Sequence, residues 1–271
     1  MKPAPRLRVL ALAAAVSLAV VACGQSAAPS SPAPVELTIF AAASLKDALA
    51  KARTAYEAAN PGTTLIVTTD SSAALETKIE QGAPADVFLS ADTSNPQRLV
   101  DGGFAAGPPV EFAGNELVIV IPANVPNDIQ VPAGLLTPGV RIIAAGDDVP
   151  VTRYAKQVLD KLSKVPGYPA DFASKYEANV VSREENVRAV LAKIELGEGD
   201  AAIVYNTDAL ASKSVARIEI PAAANVRAAY SGVAVKGSAH TSAAADFVDW
   251  LVSGAGQEVL GQFGFLPPAP P

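Results

Sequence analysis

Four places in this sequence put a small or hydroxyl-bearing residue where an apolar run gives way to helical spacing: Ser44, Ser72, Val151 and Val187. At such a junction the first backbone N–H groups of the helix lack an internal acceptor and point outward, and the peptide dipoles add roughly half a positive charge. The chemistry on offer is capture of an anion. Ser44 expresses it most fully, because Phe40-Ala41-Ala42-Ala43 ends a strand on small residues and the serine adds its hydroxyl to the free N–H groups. A lone serine cap usually serves only its own helix, so the argument rests on recurrence. Two such starts fall in each half of the chain, and four dipole ends could offset about two negative charges without any Lys or Arg in contact.

Residues suited to covalent or acid–base catalysis are not arranged for it. The sequence has no Gly-x-Ser-x-Gly elbow and no Walker glycine loop. Its single histidine, His240, lies in a Gly-Ser-Ala loop and reads as a solvated surface residue that can build no metal site. Ferric iron would call for clustered Tyr, His and carboxylates, which the spacing does not supply. Asp86 and Asp92 read as ties between loops; Glu184 and Glu185 favour a helix start by their charge or face water. The expectation is a binding protein, not an enzyme, with no cofactor and no directly coordinated metal cation.

The elements that must present these junctions follow an α/β pattern of short apolar runs alternating with helical stretches, for which parallel strands are expected. A strand over Glu36–Ala42 leads to a helix from Ser44 with Leu45, Ala48, Leu49, Ala52 and Tyr56 on one face, stopped by Asn60-Pro61-Gly62. Thr64–Thr69 enters Asp70-Ser71-Ser72 and a short helix, and Ala85–Leu89 is a buried strand. Asn115–Pro122 is the candidate for a first crossing between two lobes. Val140–Ala144 precedes Pro150 and a helix carrying Tyr154, Val158, Leu159 and Leu162; Asn179–Ser182 precedes one carrying Val187, Val190, Leu191 and Ile194. That last helix could start on a Ser182–Glu185 capping box or directly on Asn186. Ala201–Tyr205 is a strand, Ala216–Ile220 and Ala229–Val235 read as strands returning to the first lobe, and two final helices bury Phe247, Trp250, Leu251, Val259, Leu260 and Phe263.

The chain of 271 residues is half hydrophobic, enough for one large core or two ordinary ones. Lys2, Arg6 and Arg8 precede an apolar run from Val9 to Ala22, too short to span a bilayer comfortably, which reads as a secretion signal. The sole cysteine, Cys23, follows the small Ala22 in a context that resembles a bacterial lipobox, so residues 1–23 are expected to be a lipoprotein signal peptide with its anchor cysteine. Residues 24–34, rich in Ser, Ala, Pro and Gly, form a flexible tether to the outer face of the cell membrane. Losing the signal removes basic residues only and leaves a body more acidic than the formal −6 of the full chain, which argues against a nucleic-acid partner.

Three spaced motifs make a family resemblance specific: Phe40-Ala41-Ala42-Ala43-Ser44-Leu45, the run Glu80 to Asp92 reading EQGAPADVFLSAD, and Ala202-Ile203-Val204-Tyr205. They resemble, in order from about Leu37 to Phe265, the periplasmic molybdate-binding proteins of ABC transporters. The resemblance implies a two-lobed periplasmic-binding-protein type II fold with two crossing strands, lobe I being residues 35–115 and 229–271 and lobe II residues 116–228. It implies capture of molybdate, and of tungstate, in the interlobe cleft and delivery to an ABC permease by a monomer. It assigns hydroxyl and N–H donors to Ser44 and Ser72, backbone N–H donors to Val151 and Val187, and a phenolic hydroxyl to Tyr205, which without the motif would read as a packed aromatic. A site made only of neutral donors suits a fully deprotonated dianion.

The sequence departs from the family at Val149-Pro150-Val151-Thr152, where Val-Pro-Ala-Gly is usual, and at Glu185-Asn186-Val187-Arg188, where Glu-Asp-Val-Arg is usual. Asp70-Ser71-Ser72-Ala73 replaces a serine-rich loop. Either Ser71 or Ser72 could reach the ligand, with Ser72 favoured by its register to Leu75, and Asp70 must turn its carboxylate to solvent or to a helix cap. The other readings are a binding protein for sulfate or phosphate and a structural or sensory lipoprotein that keeps the fold without transport.

Overall fold

The computed structural model describes residues 34–125 and 128–270, so Cys23, the signal segment and nearly all of the tether lie outside the described residues. The chain alternates strand and helix as its apolar periodicity requires. In order it forms β1 (Val35–Ala42), a 3-10 turn (Ala43–Leu45), α1 (Lys46–Ala59), β2 (Thr63–Asp70), α2 (Ser72–Glu80), β3 (Val87–Ser90), α3 (Ser94–Asp101) and β4 (Val110–Pro122). Then come β5 (Ile142–Ala145), α4 (Pro150–Leu162), α5 (Phe172–Ala178), β6 (Val180–Glu184), α6 (Val187–Glu195), β7 (Ala202–Tyr205) and α7 (Asn206–Leu210). The chain closes with β8 (Val215–Glu219), β9 (Arg227–Ala234), α8 (Thr241–Val252) and α9 (Gly254–Gln262). Helices α3, α5 and α7 have no counterpart in the sequence reading, since all three are short and α3 carries Pro96 near its start.

The first group of strands runs β2-β1-β3-β9-β4, with β1 parallel to β2 and β3, and β9 antiparallel to β3 and β4. Strand β4 changes partners along its length. Val110–Glu116 pairs with β9, whereas Leu117–Pro122 pairs with β7 and β8. The parallel pair β5-β6 extends this second group through a bridge from Ile142 to Ala201. Where β4 switches, the Asn225 amide bonds both the N–H and the C=O of Leu117, at 3.3 and 2.9 Å, and so ties the chain entering β9 to the crossing strand.

The sheets are therefore mixed, not uniformly parallel. Strand β8 is a correction to the sequence reading: it pairs with the second half of β4 and does not return to the first group. Its alternating residues reveal a strand but not its partner. Only β9 returns, and its antiparallel entry between β3 and β4 closes the first sheet. The core runs through both groups, with Leu37, Ile39 and Leu45 in the first and Val158, Leu162, Val190 and Ile194 in the second all sealed from solvent or nearly so. Phe247 and Tyr56 are buried and pack edge to face as expected for core aromatics, whereas Trp250, stacked on Phe247, and Phe263 are only partly buried against the core.

Candidate functional site

Parallel strands that all feed helices at the same end place those helix starts side by side. The result is one small cleft, partly open to solvent, lined by Ser44, Ser72, Val151, Val187 and Tyr205 together with Asp70 and Asn186. All five residues assigned from the sequence meet there. Ser44 and Ser72 come from the first strand group; Ser72 opens α2, whereas Ser44 is the middle residue of the 3-10 turn and not the cap of α1, which begins at Lys46 after Leu45. Val151 and Val187 open α4 and α6 in the second group, and Tyr205 ends β7.

At α4 and α6 the local sequence leaves a backbone donor free at the helix start. In α6, Asn186 is the cap and its Oδ1 accepts from the N–H of Arg188 and of Ala189, at 3.0 and 3.1 Å. The N–H of Val190 reaches the Asn186 carbonyl. Val187 is what remains. In α4 the first residue is Pro150, which has no N–H, and the N–H of Thr152 goes back to Val149, leaving Val151. Asn186 thus decides the cap the sequence left open; Ser182 instead donates to Glu184, which pairs with Lys193 at 2.8 Å and does not serve the helix start.

The hydroxyls are equally constrained. Ser72 Oγ is fully buried and accepts the N–H of Ala91 at 3.0 Å, so its own proton is free for the cleft. Ser71 is the residue before α2, its hydroxyl makes no capping bond among the described residues, and its N–H is spent on Asp70. Ser44 Oγ lies 2.9 Å from the hydroxyl of Tyr230. Tyr205 is 1% exposed, yet its hydroxyl has no hydrogen-bond partner among the described residues. A buried unpaired hydroxyl costs roughly 1–3 kcal/mol unless something else bonds it. Burial raises the Tyr205 hydroxyl well above its ordinary pKa, so it is a donor at neutral pH.

No Lys or Arg lines the cleft. Asp70, the carboxylate at its edge, is held away from a ligand role by three donors: Ser71 N–H at 2.8 Å, Lys78 at 3.0 Å and Asn186 Nδ2 at 3.4 Å. Burial pushes its pKa up, but the lysine and these donors outweigh it and the net shift is downward. Three pairs bridge the two strand groups: Asn186 with Asp70 in the cleft wall, and outside it Arg188 with Asp47 at 2.6 Å and Arg153 with Asp92. Asp92 also accepts from Ser90, Ser94 and Asn95, and Asp86 from Thr38 and Ser238, so both tie loops as expected. A larger cavity of about 470 Å³ also adjoins Ser44; its lining joins the Asp47–Arg188 pair to Thr207, Gln262, Leu210 and Phe263 and includes none of Ser72, Val151, Val187 and Tyr205.

Sequence reading missed Tyr230, Asn115 and Thr207, the buried polar residues behind Ser44. An aromatic on a strand reads as core, and nothing local shows that its hydroxyl meets a serine 186 positions away.

A two-lobed α/β architecture with a cleft of outward-facing helix N-termini is the build of a ligand-capturing protein. Residues 37–266 match the family model of bacterial extracellular solute-binding proteins, and the chain belongs to that family. It is a binding protein and not an enzyme, and the occupant of its cleft is a carried solute, not a cofactor. The chain is 35% identical to the molybdate-binding protein ModA of Mycobacterium tuberculosis (strain H37Rv) over 92% of its own length and 93% of that protein. It is also 35% identical to a putative ABC transporter substrate-binding lipoprotein, YvgL, of Bacillus subtilis, covering 85% and 86% of the two chains. In fold it is similar to the periplasmic molybdate-binding protein of Azotobacter vinelandii, with a TM-score of 0.71 at 23% identity over 86% of this chain and all of that one. The sulfate-binding protein SubI of M. tuberculosis is similar too, at 0.75 and 22% over 86% and 87%.

Proposed function

We propose that this protein captures molybdate, and tungstate with it, between two lobes and delivers it to an ABC permease while tethered to the outer face of the membrane by a lipid on Cys23. The observation that carries the reading is that Tyr205, whose buried hydroxyl has no partner among the described residues, lines the same cleft as the 3-10 turn before α1 and the starts of α2, α4 and α6. Ser44, Ser72, Val151, Val187 and Tyr205 donate to the oxygens of the anion, and no group contacts the metal centre. The dipole ends and hydroxyls stabilise the dianion without a counter-charge in contact. Identity to molybdate-binding relatives across nearly the whole chain supports the choice of oxyanion. The lobes divide at 115/116 and 228/229, close to where β4 exchanges β9 for β7 and β8. The working unit is a monomer.

Sulfate is the second reading, favoured by the fold-level likeness to a sulfate-binding protein and by a donor set that any fully deprotonated tetrahedral dianion satisfies. Titration calorimetry with molybdate, tungstate, sulfate and phosphate separates them: molybdate and tungstate bind far more tightly than the other two. Ser44→Ala and Tyr205→Phe each weaken molybdate by about 1.5–3 kcal/mol, the worth of a hydrogen bond to a charged group. Equal affinity for sulfate, or two variants that bind as the wild type does, would sink the assignment.

A further inference from the structure

We infer that Tyr230, oriented by Asn115, is a positioning residue that turns the hydroxyl proton of Ser44 into the cleft and so biases the site toward fully deprotonated oxyanions. The inference rests on the reading of this cleft as an oxyanion site. Its support is a chain of hydrogen bonds with a direction. Asn115, fully buried on β4, accepts the N–H of Glu116 on its Oδ1 at 3.0 Å. That contact fixes the amide, since the reversed orientation would set an NH₂ against an N–H. Asn115 Nδ2 then donates to Thr207 Oγ1 at 2.8 Å and to the Tyr230 hydroxyl oxygen at 3.4 Å.

With its oxygen receiving that bond, Tyr230 directs its own proton to Ser44 Oγ, 2.9 Å away. Tyr230 is sealed from solvent, so no bulk water competes for its proton. Ser44 accepts, which leaves its proton and its second lone pair to share between the two cavities it lines, and an oxyanion in the smaller cleft draws the proton toward itself. Ser72 is polarised the same way by the N–H of Ala91. The oxygens of Asp70 are already engaged by Ser71, Lys78 and Asn186. A hydrogenphosphate needs an acceptor for its proton, and Tyr230 occupies one of the two lone pairs that Ser44 could offer it. Without the Tyr230 hydroxyl, Ser44 rotates and either donates or accepts.

The test is calorimetry at about pH 7.5 with molybdate, sulfate and inorganic phosphate on wild type, Tyr230→Phe, Ser44→Ala and the double variant. Phenylalanine keeps the ring that packs against Phe112, Tyr205 and Phe265. Tyr230→Phe weakens molybdate roughly tenfold and narrows the molybdate-to-phosphate ratio by a similar factor. In the Ser44→Ala background the same change costs less than roughly twofold, because the group it positions is gone. Equal loss in both backgrounds, or an unchanged ratio, overturns the inference and leaves Tyr230 a packing residue. Asn115→Asp is the second variant: it turns the donor into an acceptor, reverses the chain and moves the ratio in the same direction. If Tyr230→Phe fails to fold, an unmoved ratio in Asn115→Asp overturns the inference by itself. A wild type that binds none of the three anions rejects the site, a result distinct from binding with additive variants.

Discussion

Asp208, the third residue of α7, is completely buried, with Arg188 Nε 2.8 Å from its Oδ1 and Asp47 on the other side of that arginine. Burial raises its pKa to about 7 from the ordinary 3.8, against the opposing pull of Arg188. The folded state therefore holds a proton that the unfolded chain releases above about pH 4. Between there and about pH 7 the native state binds more protons, so this group lowers stability as pH rises and contributes no further slope above. Asp208→Asn removes that slope. Urea titrations at about pH 5 and about pH 8 are expected to show the variant gaining on the wild type by up to about 3 kcal/mol, at 1.4 kcal/mol per pH unit. A difference independent of pH would place the proton elsewhere. The sequence gives no hint of this triad, because Asp47, Arg188 and Asp208 are each unremarkable charges on helices. By contrast Ser44, Ser72, Val151 and Val187 are legible, since a strand end followed by helical spacing is a local pattern.

At the scale of elements, the helix starts work because each is stripped of competing donors. Asn186 does this for α6 by taking two N–H groups on one oxygen while its amide nitrogen reaches Asp70 on the opposite wall. Asn186→Ala is expected to cost about 1 kcal/mol of stability, the ordinary worth of a cap, measured by thermal or urea unfolding. It also cuts a bridge between the strand groups, so molybdate affinity falls as well. Full retention of both would mean that solvent replaces the cap without cost. The family's Asp at this position can cap but has no amide to donate to Asp70, so the departures at 70 and 186 are physically matched: one supplies an acceptor, the other a donor. Strand β8 is where element-level reading failed, because its residues alternate equally well for either sheet.

For the whole molecule, the question is where the described body is held. Among the described residues no helix is long and apolar enough to cross a membrane, so attachment under the proposed function depends on Cys23 and its tether. Cys23→Ser is expected to move the protein from the membrane to the soluble fraction of expressing cells while its oxyanion affinity stays unchanged. Retention in the membrane fraction would reject the lipid anchor.

The sequence by itself determined the alternation of strand and helix, the helix starts and the family motifs, because these follow from spacing within a few residues. It determined the donors as residue types. Only the tertiary structure decided that they converge, that β4 passes from one sheet to another, and that Tyr230 and Asn115 stand behind Ser44. The physical reason is range. Helix starts and strand runs are set by neighbours in the chain, whereas the direction of a buried proton is set by partners more than a hundred residues away, brought within 3.5 Å by the packing of the sheet.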